Sequence, residues 1–132
     1  MSLRKCGNYN KYDIKSKTEI GNIGEDYAIA HLISEGYKIL SRNWRYKKAE
    51  IDIIAKIDDC LIFIEVKSKT STLFGRPEES ISEKKEALIM DAAQRYMDEI
   101  NYDWEVRFDI IAVILSKSHQ LIELEHFKDA FF

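Results

Sequence analysis

Two acidic residues, Asp52 and Glu65, interrupt two hydrophobic stretches in the middle of the chain. Residues 50–57 and 60–68 are rich in Ile, Val and Phe, and the polar pair Asp58-Asp59 between them is typical of a turn. The segment is therefore predicted to form a β-hairpin. An even register about that turn gives the following opposed pairs: Ile57 with Cys60, Ile54 with Phe63, Asp52 with Glu65, and Glu50 with Lys67.

This register predicts one polar and one apolar face, because successive side chains of a strand point to opposite sides. The polar face carries Glu50, Asp52, Glu65 and Lys67. The apolar face carries Ile51, Ile53, Ala55, Ile62, Ile64 and Val66. Like charges paired directly across strands destabilise a sheet, so Asp52 beside Glu65 favours a compensating cation.

The chemistry that these residue types suggest is metal-dependent phosphodiester hydrolysis. Carboxylate oxygens suit Mg²⁺ or Mn²⁺, and waters and a substrate phosphate would complete the octahedron around an ion held by Asp52 and Glu65. Lys67 would position or deprotonate a water and stabilise charge on the phosphate. Glu25, on the same predicted helix stripe as Ala28 and Leu32, would reach the metal or its water shell.

A structural interpretation of the same residues stays open. Glu50 and Lys67 would then form a salt-bridged edge of the sheet, since structural ion pairs also perturb charges. Glu25 would be an acid in the first part of a helix, stabilised there by the helix dipole.

A second group of residues suggests contact with phosphates. No acidic residue lies between Gly36 and Ala49, and the stretch combines basic and aromatic side chains. A solvated basic loop is the alternative. The predicted nucleic-acid-binding residues are Arg42, Trp44, Arg45, Lys47 and Lys48, together with Lys69 and, near a helix start, Lys85.

The order of predicted elements is α-β-β-β-α-β-β, which indicates an α/β domain with a mixed sheet flanked by helices. A flexible basic leader over residues 1–17 precedes a single domain over 18–132. The first helix covers 18–35 and ends at Gly36, and a short strand covers 37–41. A loop over 69–79 and a capping box from Ser80 to Glu83 precede the second helix. Strands over 106–115 and 120–125 follow.

Composition excludes several classes of function. The chain has 132 residues and a net charge of −3, which argues against a generically basic nucleic-acid binder. No membrane span or signal-peptide core is visible, so cytoplasmic residence without a membrane partner is expected. Two cysteines give no disulfide framework, and His31, His119 and His126 have no metal-ligand spacing. Arg107 and Asp109, alternating in a strand, are predicted to form a structural pair.

The chain resembles the YraN-like family of uncharacterised bacterial proteins from about residue 18 to its end. The residues that carry the resemblance are Gly24-Glu25-x-x-Ala28, Asn43-Trp44-Arg45, Glu50 to Ile54, Phe63 to Lys67, Phe74-Gly75-x-Pro77, Lys85, and Arg107-Phe108-Asp109. It departs from the family pattern at Ala49, Ser68-Lys69 and Glu86, where Gly, Thr-Arg and Gln are usual.

The family looks like a distant relative of archaeal Holliday-junction resolvases in the PD-(D/E)xK nuclease superfamily. The resemblance implies a restriction-endonuclease-like core in which Asp52, Glu65 and Lys67 form the superfamily triad and Glu25 is the helix-borne acid. It also implies a Mg²⁺- or Mn²⁺-dependent endonuclease acting on DNA, branched or otherwise structured, and by analogy a homodimer. The alternative hypothesis is a non-catalytic nucleic-acid-binding module that keeps the nuclease fold.

Overall fold

The computed structural model describes residues 11–70 and 83–131. Its elements are α1 (Lys11–Ser34), β1 (Lys38–Tyr46), β2 (Ala49–Ile57), β3 (Cys60–Lys69), α2 (Glu83–Glu99), β4 (Glu105–Leu115) and β5 (Leu121–Phe127). This order confirms the predicted α-β-β-β-α-β-β arrangement. The leader up to residue 10, Ser80 of the capping box and most of the predicted 69–79 loop lie outside the described residues.

The five strands form one mixed sheet in the order β1-β2-β3-β4-β5. The strands β3 and β4 are parallel, whereas the other neighbours are antiparallel. Parallel neighbours need a long crossover connection, and α2 provides it. The fold is therefore α/β, as predicted, and it is consistent with a nuclease-like core.

Helix α1 covers one face of the sheet with the predicted apolar stripe. Ala28 and Leu32 are fully buried against side chains of β2, β3 and β4. The helix ends where Gly36 adopts a φ of 95°, a left-handed conformation that glycine takes without steric cost. The apolar stripe of α1 and the end of the helix at Gly36 were both predicted correctly.

Helix α2 covers the opposite face. Its buried residues pack against side chains that alternate along β3 with those facing α1, and Phe63 lies at the centre of this second cluster. Trp44 of β1 meets Tyr96 of α2 edge to face, with ring centroids 5.3 Å apart. The apolar residues contributed by α2 are Leu88, Ile89, Ala92, Ala93, Tyr96 and Met97.

The predicted hairpin register is confirmed from the turn as far as the pair Ile53 and Ile64. The predicted pair of Asp52 with Glu65 lies beyond the last of these pairs and is not part of the ladder between β2 and β3. The Val66 amide donates a hydrogen bond to Oδ2 of Asp52 over 2.8 Å, so this carboxylate replaces a backbone acceptor of the ladder.

The prediction that Ile51 shares a face with Ile53 is wrong. Ile51 belongs to the cluster beneath α2, whereas Ile53 belongs to the cluster beneath α1. Asp52 lies between these two residues, and opposite it in β1 Asn43 has a φ of 54° between the pairs Arg42–Ile53 and Trp44–Ile51. The alternation of faces along β2 is therefore interrupted at Asp52, where the strand pair is locally irregular.

Two element boundaries also differ from the predictions. The strand predicted over 37–41 is β1, which extends to Tyr46, so the basic stretch lies in a strand and its following turn rather than in a loop. Pairing with β2 stabilises this extension, although the sequence of β1 has little alternation of its own. Helix α1 begins at Lys11 rather than at about Thr18.

Among the described residues, no helix has the length and apolar character needed to cross a membrane.

Candidate active site

A cavity of about 760 Å³ lies beside the carboxyl end of β3, bounded by α1, β2 and the first turns of α2. Its lining includes the carboxylates of Glu25, Glu50, Asp52 and Glu65. The structure therefore brings together the three acids predicted to act in catalysis, from three different elements. Lys67 is not among the described residues that line this cavity.

Asp52 lies in the cavity close enough to Glu65, Glu25 and Glu50 for their charges to act on it. Burial raises the pKa of its carboxyl group well above the usual range, and the charge of Glu65 raises it further. The hydrogen bond from Val66 acts in the opposite direction but is outweighed, and the carboxylates of Glu25 and Glu50 add to the rise. A site with this concentration of negative charge favours a cation.

Glu65 is held by a lysine of α2. The Nζ atom of Lys85 lies 2.6 Å from Oε2 of Glu65, whose side chain is 12% exposed. Lys85 was predicted to contact nucleic acid, but its pairing with Glu65 was not predicted. The two residues are far apart in sequence, and neither spacing nor periodicity relates them.

Glu25 is fixed by two residues of β1. The Nε atom of Arg42 donates to Oε1 over 3.1 Å, and the amide of Asn43 donates to both carboxylate oxygens over 3.2 Å. Burial raises the pKa of Glu25, and these hydrogen bonds offset only part of the rise. The left-handed Asn43 thus both distorts β1 and orients the helix-borne acid.

The close approach of α1 to β3 depends on Gly24. A Cβ atom there would lie 1.8 Å from Oγ and 2.8 Å from Cβ of Ser68. The Oγ atom of Ser68 is buried, and no described residue offers it a hydrogen-bond partner. Ser68 also lines the cavity. Because a buried hydroxyl without a partner is costly, this atom is suited to a ligand or a water in the cavity.

The predicted nucleic-acid-binding residues occupy different positions. Lys48, Lys69 and Lys85 line the cavity. Arg42 is tied to Glu25 and Asp26. The remaining three lie along the β1–β2 hairpin: Trp44 packs on Tyr96, Arg45 pairs with Glu50 at 3.3 Å, and Lys47 lies over the Tyr46 ring.

The donor set fits a hard divalent cation. Asp52 and Glu65 supply carboxylate oxygens, each with lone pairs beyond those used by Val66 and Lys85. In the described part of the chain, no three Asp, Glu, His or Cys side chains are close enough to enclose an ion by themselves. Asp52 and Glu65 are the residues that could hold Mg²⁺ or Mn²⁺, which keep several waters and commonly use only one or two protein carboxylates.

A second polar cluster lies on β4 and β5, and it is built around the fully buried Asp109. Arg107 donates two hydrogen bonds of 2.9 Å to its carboxylate, which confirms the predicted structural pair. The ring of His126 lies 2.7 Å from Asp109 and 3.3 Å from His31 of α1. No sequence pattern indicated this histidine pair, because its members lie in the first helix and the last strand.

The structure defines an α/β protein, consistent with a nuclease-like core, with a carboxylate-lined cavity beside the carboxyl end of β3. Over residues 24–113 the chain matches the model of the uncharacterised protein family UPF0102. It belongs to that family, which confirms the membership predicted from its motifs.

Similar proteins have the same family description. The chain is 42% identical to a UPF0102 protein of Flavobacterium johnsoniae, over 86% of this chain and 94% of that protein. It is 43% identical to one from Christiangramia forsetii, with the same shares covered. It is 40% identical to one from Dictyoglomus turgidum, over 86% of this chain and 97% of that protein.

Proposed function

We propose that this protein is a metal-dependent nuclease that hydrolyses phosphodiester bonds of DNA, with Mg²⁺ or Mn²⁺ bound by Asp52 and Glu65. One observation carries the proposal: Glu25, Glu50, Asp52 and Glu65 converge on one cavity, where burial and mutual repulsion oppose the ionisation of Asp52. A structural role alone does not explain why acids from α1, β2 and β3 would concentrate negative charge in one cavity.

A cation bound there would act as a Lewis acid on a phosphate oxygen and lower the pKa of a bound water. The protein residues have separate roles around it. Asp52 is fixed by the Val66 amide, and Glu25 is fixed by Arg42 and Asn43, so the acids are held in place before substrate binds. Glu25 is suited to orienting a water at the wall of the cavity.

The rim of the cavity is suited to the backbone of a nucleic acid. Lys48, Lys69 and Lys85 line the cavity beside the carboxylates, so its lining combines cationic with anionic groups, and the phosphates that flank the reacting one would meet lysines there. A branched or otherwise structured DNA, and a dimer that would cut it symmetrically, are expected only by analogy with resolvases.

The test is an assay of the purified protein on junction, flap, single-stranded and duplex DNA with Mg²⁺ or Mn²⁺. Cleavage is expected for at least one substrate, and Asp52→Asn and Glu65→Gln should each abolish it. Cleavage that both variants retain would defeat the assignment.

One observation favours the second candidate, a nucleic-acid-binding module without turnover. Lys67, the lysine that the resemblance places in the catalytic triad, lies half-buried on β3 and outside the described cavity lining. Calorimetric titration with Mg²⁺ and Mn²⁺ separates the two candidates. Salt-sensitive DNA affinity without metal binding that depends on Asp52 and Glu65 would favour the binding module.

A further inference from the structure

Lys85 occupies a position that is unusual for a cation. It lies in the first turn of α2, which begins at Glu83, and the positive end of the helix dipole disfavours a lysine there. Its ammonium group is nevertheless directed into the cavity, 2.6 Å from Glu65. The negative charge of the cavity therefore outweighs the unfavourable dipole.

The two partners differ in exposure. The side chain of Glu65 is 12% exposed, whereas that of Lys85 is 46% exposed. Lysine has a flexible four-carbon stem and a compact ammonium group, so it can leave a partner with little rearrangement of the backbone. Glu65 belongs to β3, which pairs with β2 on one side and with β4 on the other, so its backbone is held independently of Lys85.

A divalent cation between Asp52 and Glu65 would compete with this ammonium group for the same carboxylate. Two cations on one carboxylate repel each other, and the repulsion is strong where solvent is partly excluded. We infer that Lys85 is an exchangeable counter-ion: it neutralises Glu65 in the metal-free protein, and the metal releases it to bind a phosphate of the nucleic acid. This inference rests on the proposed function and adds a coupling between metal binding and substrate binding.

A permanent salt bridge makes the opposite prediction. If Lys85 only orients Glu65, then removing it loosens a metal ligand and weakens metal binding. If Lys85 is a competitor, then removing it strengthens metal binding. The sign of the change in metal affinity therefore distinguishes the two roles.

The experiment is calorimetric titration of Mn²⁺ into the wild-type protein and into Lys85→Met and Lys84→Met. Lys84 is the exposed neighbour on the same helix turn, so its variant matches the change in net charge. Lys85→Met is expected to bind Mn²⁺ about tenfold more tightly than the wild type, while Lys84→Met changes the affinity little. An unchanged or weakened affinity in Lys85→Met would overturn the inference.

The second measurement is the affinity of a fluorescent DNA oligonucleotide, with Ca²⁺ replacing Mn²⁺ if the DNA is cut during the measurement. Lys85→Met should weaken binding severalfold when the divalent cation is present. It should have little effect in EDTA, where Lys85 is engaged by Glu65. Equal weakening with and without the cation would show a permanent phosphate contact and contradict the exchange.

The results also separate this inference from the proposed function. If wild-type protein binds Mn²⁺ through Asp52 but Lys85→Met behaves like Lys84→Met, then only the exchange is wrong. If no binding depends on Asp52, then the proposed function fails and the exchange fails with it.

Discussion

Asp52 shows how a single residue can be placed for function at the expense of stability. Its carboxyl group is buried beside Glu65, and only the Val66 amide among its described contacts favours the charged form. Because the pKa is raised in the folded state, the folded protein binds more protons than the unfolded chain above the unfolded pKa of about 3.9. The contribution of Asp52 to stability is therefore present below that pH and is lost as the pH rises through the folded pKa.

Asp52→Asn should accordingly be more stable than the wild type at pH 8 in EDTA, by about 1 to 2 kcal/mol. The asparagine can still accept the Val66 hydrogen bond, and it removes the repulsion with Glu65. The difference should shrink as the pH is lowered towards 4. Urea unfolding at several pH values measures it, with the exposed Asp98→Asn on α2 as control. A variant that is less stable than the wild type at pH 8 would contradict this reading of the site.

The pKa of Asp109 is shifted in the opposite direction, because it is lowered in the folded protein. Burial alone would raise its pKa, but hydrogen bonds from His126, Arg107 and the Asp129 amide outweigh that effect and lower it. Because the folded pKa is depressed, the stabilising contribution is present above the unfolded pKa and is lost as the pH falls through the folded one.

Asp109→Asn should therefore destabilise the protein at pH 7 by about 3 kcal/mol, because it leaves the half-buried Arg107 without its anion. Urea unfolding at pH 7 measures the loss, and the exposed Asp98→Asn is again the matched control. The carboxylate-lined cavity does not contain Asp109, so Mn²⁺ affinity in the folded variant should stay unchanged. A loss of stability no greater than that of the control would show that the buried pair is dispensable.

At the scale of elements, the contact of α1 with β3 is set by Gly24. An alanine there meets the Cβ of Ser68 as well as its rotatable hydroxyl, so the helix must shift. Gly24→Ala should lose about 1 to 2 kcal/mol, because overpacking exceeds the gain in helix propensity. Gly21→Ala, one turn earlier with nothing within 4 Å of its Cβ, should gain up to about 1 kcal/mol. Thermal unfolding measures the stability of both variants. If their melting temperatures shift in the same direction, the close approach of α1 to β3 at Gly24 is contradicted.

The same elements show what the sequence could predict. The α2 stripe, the Asp58-Asp59 turn and the hairpin register follow from local periodicity, which a single chain displays directly. The distortion at Asn43 could not be predicted, because a left-handed residue inside a strand has no periodic signature. The same residue donates hydrogen bonds to both carboxylate oxygens of Glu25, and the face taken by Ile51 beside it differs from the prediction.

The acidic residues of the candidate site could be predicted from the sequence, but the lysine that pairs with Glu65 could not. Asp52 and Glu65 stand out because charged residues inside hydrophobic strands are costly unless they are used. Lys67 follows from the same strand by spacing, yet Lys85 of α2 is the lysine that meets Glu65. Contacts between elements distant in sequence, such as this one and the His31–His126 pair, depend on packing that no local pattern shows.

The β1–β2 turn presents Lys47 and Lys48 beside the cavity, but only Lys48 lines it. Under the proposed function, Lys48→Ala should weaken DNA binding severalfold at low salt and reduce the slope of log affinity against log salt by about one. Lys38→Ala removes an exposed lysine at the other end of β1 and should have little effect on either quantity. Fluorescence anisotropy at several salt concentrations measures both, and equal losses in the two variants would indicate a diffuse electrostatic contact.

At the scale of the whole molecule, the cavity lies at the carboxyl end of β3, where α1 on one face of the sheet and α2 on the other both reach it. Helix α1 contributes Glu25 from one face of the sheet and α2 contributes Lys85 from the other. Ligands of α/β proteins commonly bind outside the carboxyl ends of strands, where loops and helix starts converge. The fold thus places acids from three elements around one cavity.

The net charge of −3 has a further consequence for the molecule as a whole. A polyanionic nucleic acid approaching a cavity walled by Glu25, Asp52 and Glu65 is repelled unless a cation neutralises them. Oligonucleotide affinity should therefore be at least about tenfold higher with Mg²⁺ or Ca²⁺ than in EDTA at matched ionic strength. Fluorescence anisotropy measures the ratio, and Glu65→Gln should reduce it by weakening the metal site. Equal affinity with and without the divalent cation would show that nucleic acid binds away from the carboxylates, and the binding-module hypothesis would then replace the nuclease.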